Sequence, residues 1–426
     1  MRRASRCAGW VAVVALVAAG CSGGDDQADG GSDNGSDPSE TTSEPAADEP
    51  SDDPTEDPTD DSTEGSTEET TEEPEPRAFT VAMSGDVLLH SGTWDTAEAD
   101  AARAGRGGLD FGPMFADMRP ALRSVDLAIC HLETPLATPQ GPFASYPVFN
   151  APPQVVSGLQ KAGYDVCSTA SNHSVDQGGD GLVRTLKTLN RADMEHFGTA
   201  LSRKGSRRID VVDVAEVPVA LLNYTYGTNG IPLPTDMPWS VPLIDPQRIV
   251  ADAAKAKREG AEVVLVSLHF GTEYSTAPDS YQTSVVDRIT RSSDIDLVYG
   301  HHAHVPQPFD KVNGTWVAYG LGNFIAQQLT SMPDTYRGIT ARFSFREKPS
   351  GEFRVTDAAY LPTQITPYVS GDPRMRVLDA AAALRDPTTP AGLRPSLKAT
   401  LAEVRAAAEL LNADKHGLHL WRSWRN

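Results

Sequence analysis

The chain has little cysteine: Cys7, Cys21, Cys130 and Cys167 are all it holds in 426 residues. With only Cys130 and Cys167 inside the body of the sequence, and far apart, a cysteine zinc site is excluded. Both lie in apolar runs and read as buried thiols. Export would also permit a disulfide between them, provided their Cα atoms come close. Long apolar runs are scarce too. Trp10 to Ala19 is too short to span a bilayer, and no other stretch approaches 18 apolar residues, so no transmembrane helix is expected. Positive charge is missing from residues 21–76, which hold 21 Asp and Glu and no Lys or Arg. That tract explains the formal net charge of −21, because residues 77–426 carry 34 basic and 37 acidic residues. An acidic surface repels phosphate, so a nucleic-acid partner is excluded. The near-neutral remainder is long enough for a sizeable core. No internal repeat is found.

The N-terminus is laid out as a signal peptide. Arg2, Arg3 and Arg6 precede the apolar run, and the small residues Ala18, Ala19 and Gly20 precede Cys21. The ending, followed by Ser22-Gly23-Gly24, resembles a bacterial lipobox, with Ala18 where Leu is more usual. Residues 1–20 are therefore expected to leave, and Cys21 to carry a lipid that anchors the protein to the cell membrane on its extracytoplasmic side. Residues 21–77 have almost no apolar surface to offset ordering entropy and read as a disordered, self-repelling tether. Binding of cations or cell wall by this tract is the alternative.

From Phe79 the pattern changes. Six apolar runs each end in a polar cluster: residues 79–86, 125–133, 164–173, 262–273, 295–304 and 315–324. Short apolar runs bounded by turn residues predict buried strands. Helix-period segments at 114–124, 152–162, 181–192, 246–260 and 281–292 lie between most of them. Such alternation implies βαβ units, a largely parallel sheet and an α/β fold. Residues 208–214 with 217–226, and 338–345 with 352–361, read as hairpins forming a second, mixed or antiparallel sheet packed on the first. Domain 78–372 is followed by a helical C-terminal extension, 373–426, with helices at 376–385 and 395–413 and Trp421 and Trp424 as packing residues.

Ligands of open α/β sheets bind beyond the carboxyl ends of the strands. There fall Asp86, His90, His131, Glu133, Asn172, His173, Asp176, His269, Glu273, His301, His302, His304 and Asn323, which include seven of the ten His. Imidazole mixed with carboxylate favours Zn, Mn or Fe over an all-oxygen Ca site, and suits two divalent transition-metal ions. His302 and His304 would face one way on an extended backbone, and His301 the other as a structural member. Glu133 could bridge two cations. Two ions about 4 Å apart acidify a shared water and clamp a phosphoryl oxygen. His173 is placed to protonate a leaving oxygen. Asp176-Gln177-Gly178 is expected to cap the following helix. Glu273 is expected to support His269, and Tyr274 and Phe324 to be wall or core.

Six ordered motifs across residues 79–326 carry a resemblance. They are Ser84-Gly85-Asp86; Asp126-Leu127 with Leu132-Glu133-Thr134-Pro135-Leu136; and Ser171 to Gly178 (SNHSVDQG). Then come Leu268 to Tyr274 (LHFGTEY); Gly300 to Val305 (GHHAHV) with Gln307-Pro308; and Tyr319 to Phe324 (YGLGNF). The chain resembles the CapA-type, poly-γ-glutamate capsule biosynthesis family of the calcineurin-like metallophosphatase superfamily. That resemblance implies a four-layer α/β/β/α sandwich with Asp86 and Glu133 holding and bridging the metals. Asn172, His269, His302 and His304 would complete the shells, and His173 would act as general acid. Two positions depart from the pattern. Leu88 stands where the superfamily's Asp-x-His has His, a trait of this branch. His131 stands where the family usually has Asn, and either replaces its polar contact, adds a ligand or packs at the strand end.

The implied function is that of a lipid-anchored, metal-dependent hydrolase-fold protein in capsular polymer biosynthesis or export. Its substrate would be an anionic polymer or a phosphoester, and its partners the capsule synthesis or export machinery. A non-catalytic protein that holds the polymer at the membrane is one alternative. A general envelope phosphodiesterase is the other, because fold kinship does not fix substrate.

Overall fold

Each of the six apolar runs becomes at least one strand, with its polar cluster at or past the strand's carboxyl end. The computed structural model describes residues 75–422. Cys7, Cys21, the acidic tract to residue 74 and Trp424 lie outside the described residues. The strands are β1 (Ala78–Val87), β2 (Leu127–Leu132), β3 (Val166–Ser168), β4 (Glu195–Phe197), β5 (Asp210–Val214), β6 (Val217–Thr225), β7 (Val263–His269) and β8 (Leu297–His301). They continue as β9 (Phe309–Val312), β10 (Thr315–Ala318), β11 (Asn323–Ile325), β12 (Arg337–Glu347), β13 (Phe353–Ile365), β14 (Val377–Asp379) and β15 (His419–Leu420). The helices are α1 (Ser91–Arg103), α2 (Arg119–Leu122), α3 (Val155–Ala162), α4 (Gly178–Arg191), α5 (Pro246–Arg258), α6 (Ser280–Ile289), α7 (Ala380–Arg385) and α8 (Arg394–Ala408).

Two sheets result. The first runs β14-β13-β12-β1-β2-β3-β4, with β11 beside β1 and β15 beside β13; the second runs β5-β6-β7-β8-β10-β9. This corrects the expectation that the six runs share one sheet and the hairpins make another. Strands β1, β2 and β3 pair in parallel in the first sheet, while β7, β8 and β10 pair in parallel in the second. Each hairpin extends a different sheet: β12–β13 adds to β1, and β5–β6 adds to β7. A strand buried on both faces looks the same in either sheet, so the apolar pattern does not assign it.

Alternation along the strands builds four layers. Phe79, Val81 and Met83 of β1 point between the sheets and meet Val219, Leu221, Val263 and Leu265. Ala82, facing the other way, packs with Ala128 and Cys130 under Leu159 of α3 and Leu182 and Leu186 of α4. On the outer face of the second sheet, Val264, Val266 and Val298 pack under Ile249, Ala253, Val286 and Ile289. The order is α/β/β/α, as the resemblance implies.

Local chemistry explains the helices. Asp245 caps α5 through the Gln247 N–H with Pro246 at the first position, and Asp279 and Gln282 form a capping box on α6. Helix α1 escapes the sequence reading because its buried side is made of small or polar residues, Gly92, Thr93, Thr96, Ala97, Asp100 and Ala101. The segment expected as one helix at 114–124 splits into a 3-10 turn, Gly112–Met118, and the short α2. The C-terminal segment is helical in α7 and α8 but also adds β14 and β15 to the first sheet, with Trp421 buried in the core. Among the described residues no helix is long and apolar enough to cross a membrane.

Candidate metal centre

Strands β1, β2 and β3 run parallel, as do β6, β7, β8 and β10, and the carboxyl ends of both sets meet at one pole. At that pole the β1–β2 register shifts between Met83 and Asp86, a bulge of the kind that re-aims a side chain. Gly85 permits it: a Cβ there would collide with the Gly322 carbonyl, the group that accepts the Asp86 N–H at 2.9 Å. The result turns Asp86 into the gap between the sheets.

Asp86 then meets the second sheet. Its Oδ1 lies 2.9 Å from His301 Nδ1 and its Oδ2 3.0 Å from His304 Nδ1. The His302 N–H also donates to Oδ2 at 3.3 Å. Although burial opposes its charge, these bonds from His301 and His304 hold the Asp86 carboxyl well below the usual range. Glu133 sits just past β2, fully buried. Its Oε1 is 3.8 Å from both His269 Nε2 and His304 Nε2. Neither of its oxygens has a hydrogen-bond partner among the described residues. Burial therefore pushes its carboxyl well up. His304 is drawn upward to about 10 by Glu133 and Asp86, against the effect of burial. His302, desolvated and beside His304, falls to about 3.

Asn172 and His269 make the other half. Asn172 Oδ1 is 2.9 Å from His269 Nε2, and its amide donates to Asn229 Oδ1 at 3.3 Å. Tyr226 donates to the same Asn229 oxygen at 2.9 Å and lays its ring 4.6 Å from that of His302. His302 Nδ1 and His301 Nε2 are, like Glu133, buried without partners among the described residues. A charged or polar group left this way costs several kcal/mol unless something neutralises it. Nitrogen and carboxylate donors that face one another unpaired fit a divalent cation. Asp86, Glu133 and His304 converge closely enough to share one, as do Glu273, His302 and His304. Asp86, His131 and His301 are also close, but the His131 and His301 rings stack 4.0 Å apart at 15°. Stacked rings send their in-plane lone pairs alongside each other instead of toward one point.

The expectation that His302 and His304 share a side of an extended strand is corrected. Strand β8 ends at His301, and His302 and His304 take left-handed conformations, φ 90° and 57°. Such strain in non-glycine residues persists where the surroundings enforce it, and it gathers at functional sites. Tyr274, also at positive φ, ties this turn down through its N–H to the Ala303 carbonyl at 2.7 Å. Asn323, at the start of β11, holds His304 Nδ1 at 3.0 Å. His301 is a partner of Asp86, in keeping with a structural place.

His173 faces a cavity of about 830 Å3 whose wall includes His90, Tyr146, Asp176, Glu273, Tyr274 and His304. Asp176 does not cap α4, whose N-terminus has no side-chain cap. Its Oδ2 instead accepts from His173 Nδ1 at 2.7 Å and from the Phe149 N–H at 2.7 Å. Glu273 is exposed and groups with His302 and His304, away from the role beside His269 expected of it. The group that meets His269 Nδ1 is His131, at 3.0 Å. Ser168, Tyr226 and Asn229 carried no signal, since a lone hydroxyl or amide in a strand or loop is common. Phe324 is core and Tyr274 is cavity wall, as expected. Cys130 and Cys167, paired in the β2–β3 ladder, form a disulfide.

A cluster of His, Asp, Glu and Asn where two facing sheets end defines an α/β-sandwich protein with a candidate metal centre. The family model "Bacterial capsule synthesis protein PGA_cap" matches residues 80–328, which hold every residue of that centre, and the chain belongs to this family. It is 27% identical over 262 residues to the "Capsule biosynthesis protein CapA" of Bacillus anthracis, covering 60% of this chain and 61% of that one. To the "PGA biosynthesis protein CapA" of Bacillus subtilis it is 28% identical over 203 residues, covering 47% and 52%. The match thus spans little more than half the length of these relatives. Among solved structures, the calcineurin-like phosphoesterase YfkN of Bacillus subtilis aligns with 15% identity and a TM-score of 0.42, over 78% of this chain and 99% of that one.

Proposed function

We propose that this protein is a lipid-anchored, extracytoplasmic metal-dependent hydrolase acting on an anionic polymer or phosphoester in poly-γ-glutamate capsule synthesis or export. Residues 21–77 would serve as its spacer from the membrane. One observation carries the reading: a fully buried Glu133 carboxyl with neither oxygen hydrogen-bonded among the described residues, set between the His269 and His304 imidazoles. Asp86 and His304 would hold one divalent cation, Asn172, His269 and His302 a second, with Glu133 shared. The mixed N/O donors suit Zn, Mn or Fe. Such ions, when bound, supply Lewis acidity toward a phosphoryl or carbonyl oxygen and acidify water.

The chain's own residues supply the rest. Asp176 fixes His173 through Nδ1, which leaves Nε2 as the ring atom open to the cavity for a leaving oxygen. No Lys or Arg is among the described residues lining the cavity, so apart from its histidines an anionic substrate would meet positive charge only at the cations. That supports dependence of binding, as well as turnover, on metal.

The test is metal analysis of the purified chain with hydrolysis assays on phosphoesters and poly-γ-glutamate. His304→Ala should lose metal and turnover together. His173→Ala should keep the metal and lose about 10²–10⁴-fold in rate. Equal capsule yield from His173→Ala and wild type would argue for polymer holding in place of catalysis. Cys21→Ser should move the protein out of the membrane fraction; a variant that stays there with its signal removed would sink the lipid anchor.

A further inference from the structure

His131 is buried behind the centre and belongs to neither proposed cation shell, yet both of its nitrogens are engaged. Nε2 lies 3.0 Å from His269 Nδ1, and Nδ1 lies 2.8 Å from Ser168 Oγ. Ser168 Oγ in turn lies 3.3 Å from the Cys130 carbonyl. On the far side, His269 Nε2 is 2.9 Å from Asn172 Oδ1 and 3.8 Å from Glu133 Oε1. The four groups form one line: Cys130 carbonyl, Ser168, His131, His269. Adjacent positions in the β2–β3 ladder hold the line's first half, because His131 pairs with Ser168 directly after Cys130 pairs with Cys167.

A neutral imidazole has one N–H and one lone pair, so the line has two polarities. In the first, Ser168 donates to His131 Nδ1, His131 Nε2–H donates to His269 Nδ1, and His269 Nε2–H donates to Asn172. His269 then has no lone pair to offer a cation. In the second, Ser168 donates to the Cys130 carbonyl and accepts from His131 Nδ1–H. His131 Nε2 then accepts from His269 Nδ1–H, and His269 Nε2 presents its lone pair beside Asn172 Oδ1 and Glu133. Each polarity holds three protons, so passing between them neither takes up nor releases one. Only the second has its end open to a metal, and only the second uses the Cys130 carbonyl.

We propose that His131 is the positioning residue of the metal centre: it accepts the His269 Nδ1–H and so fixes the tautomer in which His269 Nε2 binds a cation. The inference rests on the two-cation reading above. Ligating histidines usually give their second N–H to a carboxylate or carbonyl, and loss of that partner weakens the metal about 10–100-fold. Here a second imidazole, anchored by a serine, fills that place.

Zinc affinity of the purified chain, measured by competition with a chelator, tests it. His131→Phe keeps a ring against His301 but has no acceptor, and should weaken zinc by about 10–100-fold. His131→Asn, whose amide oxygen accepts the same N–H, should recover most of that loss. Unchanged zinc affinity in His131→Phe would overturn the inference while leaving the metal centre standing. A wild-type chain that takes up no zinc would overturn both. Histidine ¹⁵N NMR of the zinc-loaded wild type needs no variant to fold. His131 should appear as the Nδ1–H tautomer, and the Nε2–H form would refute the proposal.

Discussion

The two poles of the sandwich are built from the same strands and treat charge in opposite ways. Where the parallel strands begin, charges are paired and partly exposed. Arg77, just before β1, bonds Glu262 at 2.8 Å and Glu347 at 2.8 Å, and Lys257 bonds Asp296 at 2.8 Å. Where those strands end, Glu133, His301 and His302 are buried with atoms that meet no partner among the described residues. The first pole also has a cavity, about 720 Å3, but its lining mixes both signs, Lys257, Lys311 and Arg291 with Glu262, Asp294 and Asp296. Cavity size therefore does not separate the poles. What separates them is how much unmet electrostatic demand gathers in one gap, which fits a partner from outside the chain.

The two poles differ most at Glu133. Glu133→Gln should weaken metal binding by at least about 100-fold, more than the loss of a supporting group. In chelator, the variant should melt close to wild type, because the Glu133 carboxyl has no hydrogen bond to lose and gives up only its 3.8 Å contacts with His269 and His304. A large fall in melting temperature without metal would show that Glu133 holds the fold together, and the contrast between the poles would fail.

The poles should also differ in their response to acid. His304 is held up to about 10 by Glu133 and Asp86, and burial raises Glu133 itself. Below about 10 the centre therefore holds a proton on His304 that a cation must displace, and the raised Glu133 carboxyl adds to that demand as pH falls. Metal affinity should accordingly fall as pH falls, about tenfold per pH unit for each proton displaced. Calorimetry in buffers of different ionisation heat should detect the protons released. An affinity flat from about pH 6 to 8 would mean that the protons lie elsewhere.

Much of the centre was legible because each apolar run ends abruptly in polar residues, and strand ends are where α/β folds place ligands. Asp86, Glu133, Asn172, His269, His302 and His304 are all drawn together. Legibility stopped where partners are chosen in three dimensions. The sequence offers no reason for β2 and β7 to lie in different sheets, and hence none for His131 to meet His269. His302 and His304 were found for the wrong reason, because spacing of two implies a common side only on an extended backbone. Asp176 looked like a cap because acid before a glycine-started helix usually is one. Its geometry serves His173 instead.

The smallest effect is expected at the paired pole. Arg77 touches two carboxylates and lies over the Phe353 ring at 5.3 Å, so its removal loses both a network and some packing. Its side chain remains about one-third exposed, and water and salt screen the charges. Arg77→Ala should cost about 1 kcal/mol by denaturant titration, the upper end for exposed pairs, and less in high salt. Glu262 and Glu347 keep access to solvent, so neither is stranded as Glu133 would be without a cation. Zinc affinity should be unchanged. A shift in zinc affinity from Arg77→Ala would show that strain passes the length of β1 to Asp86, and the two poles would no longer be independent.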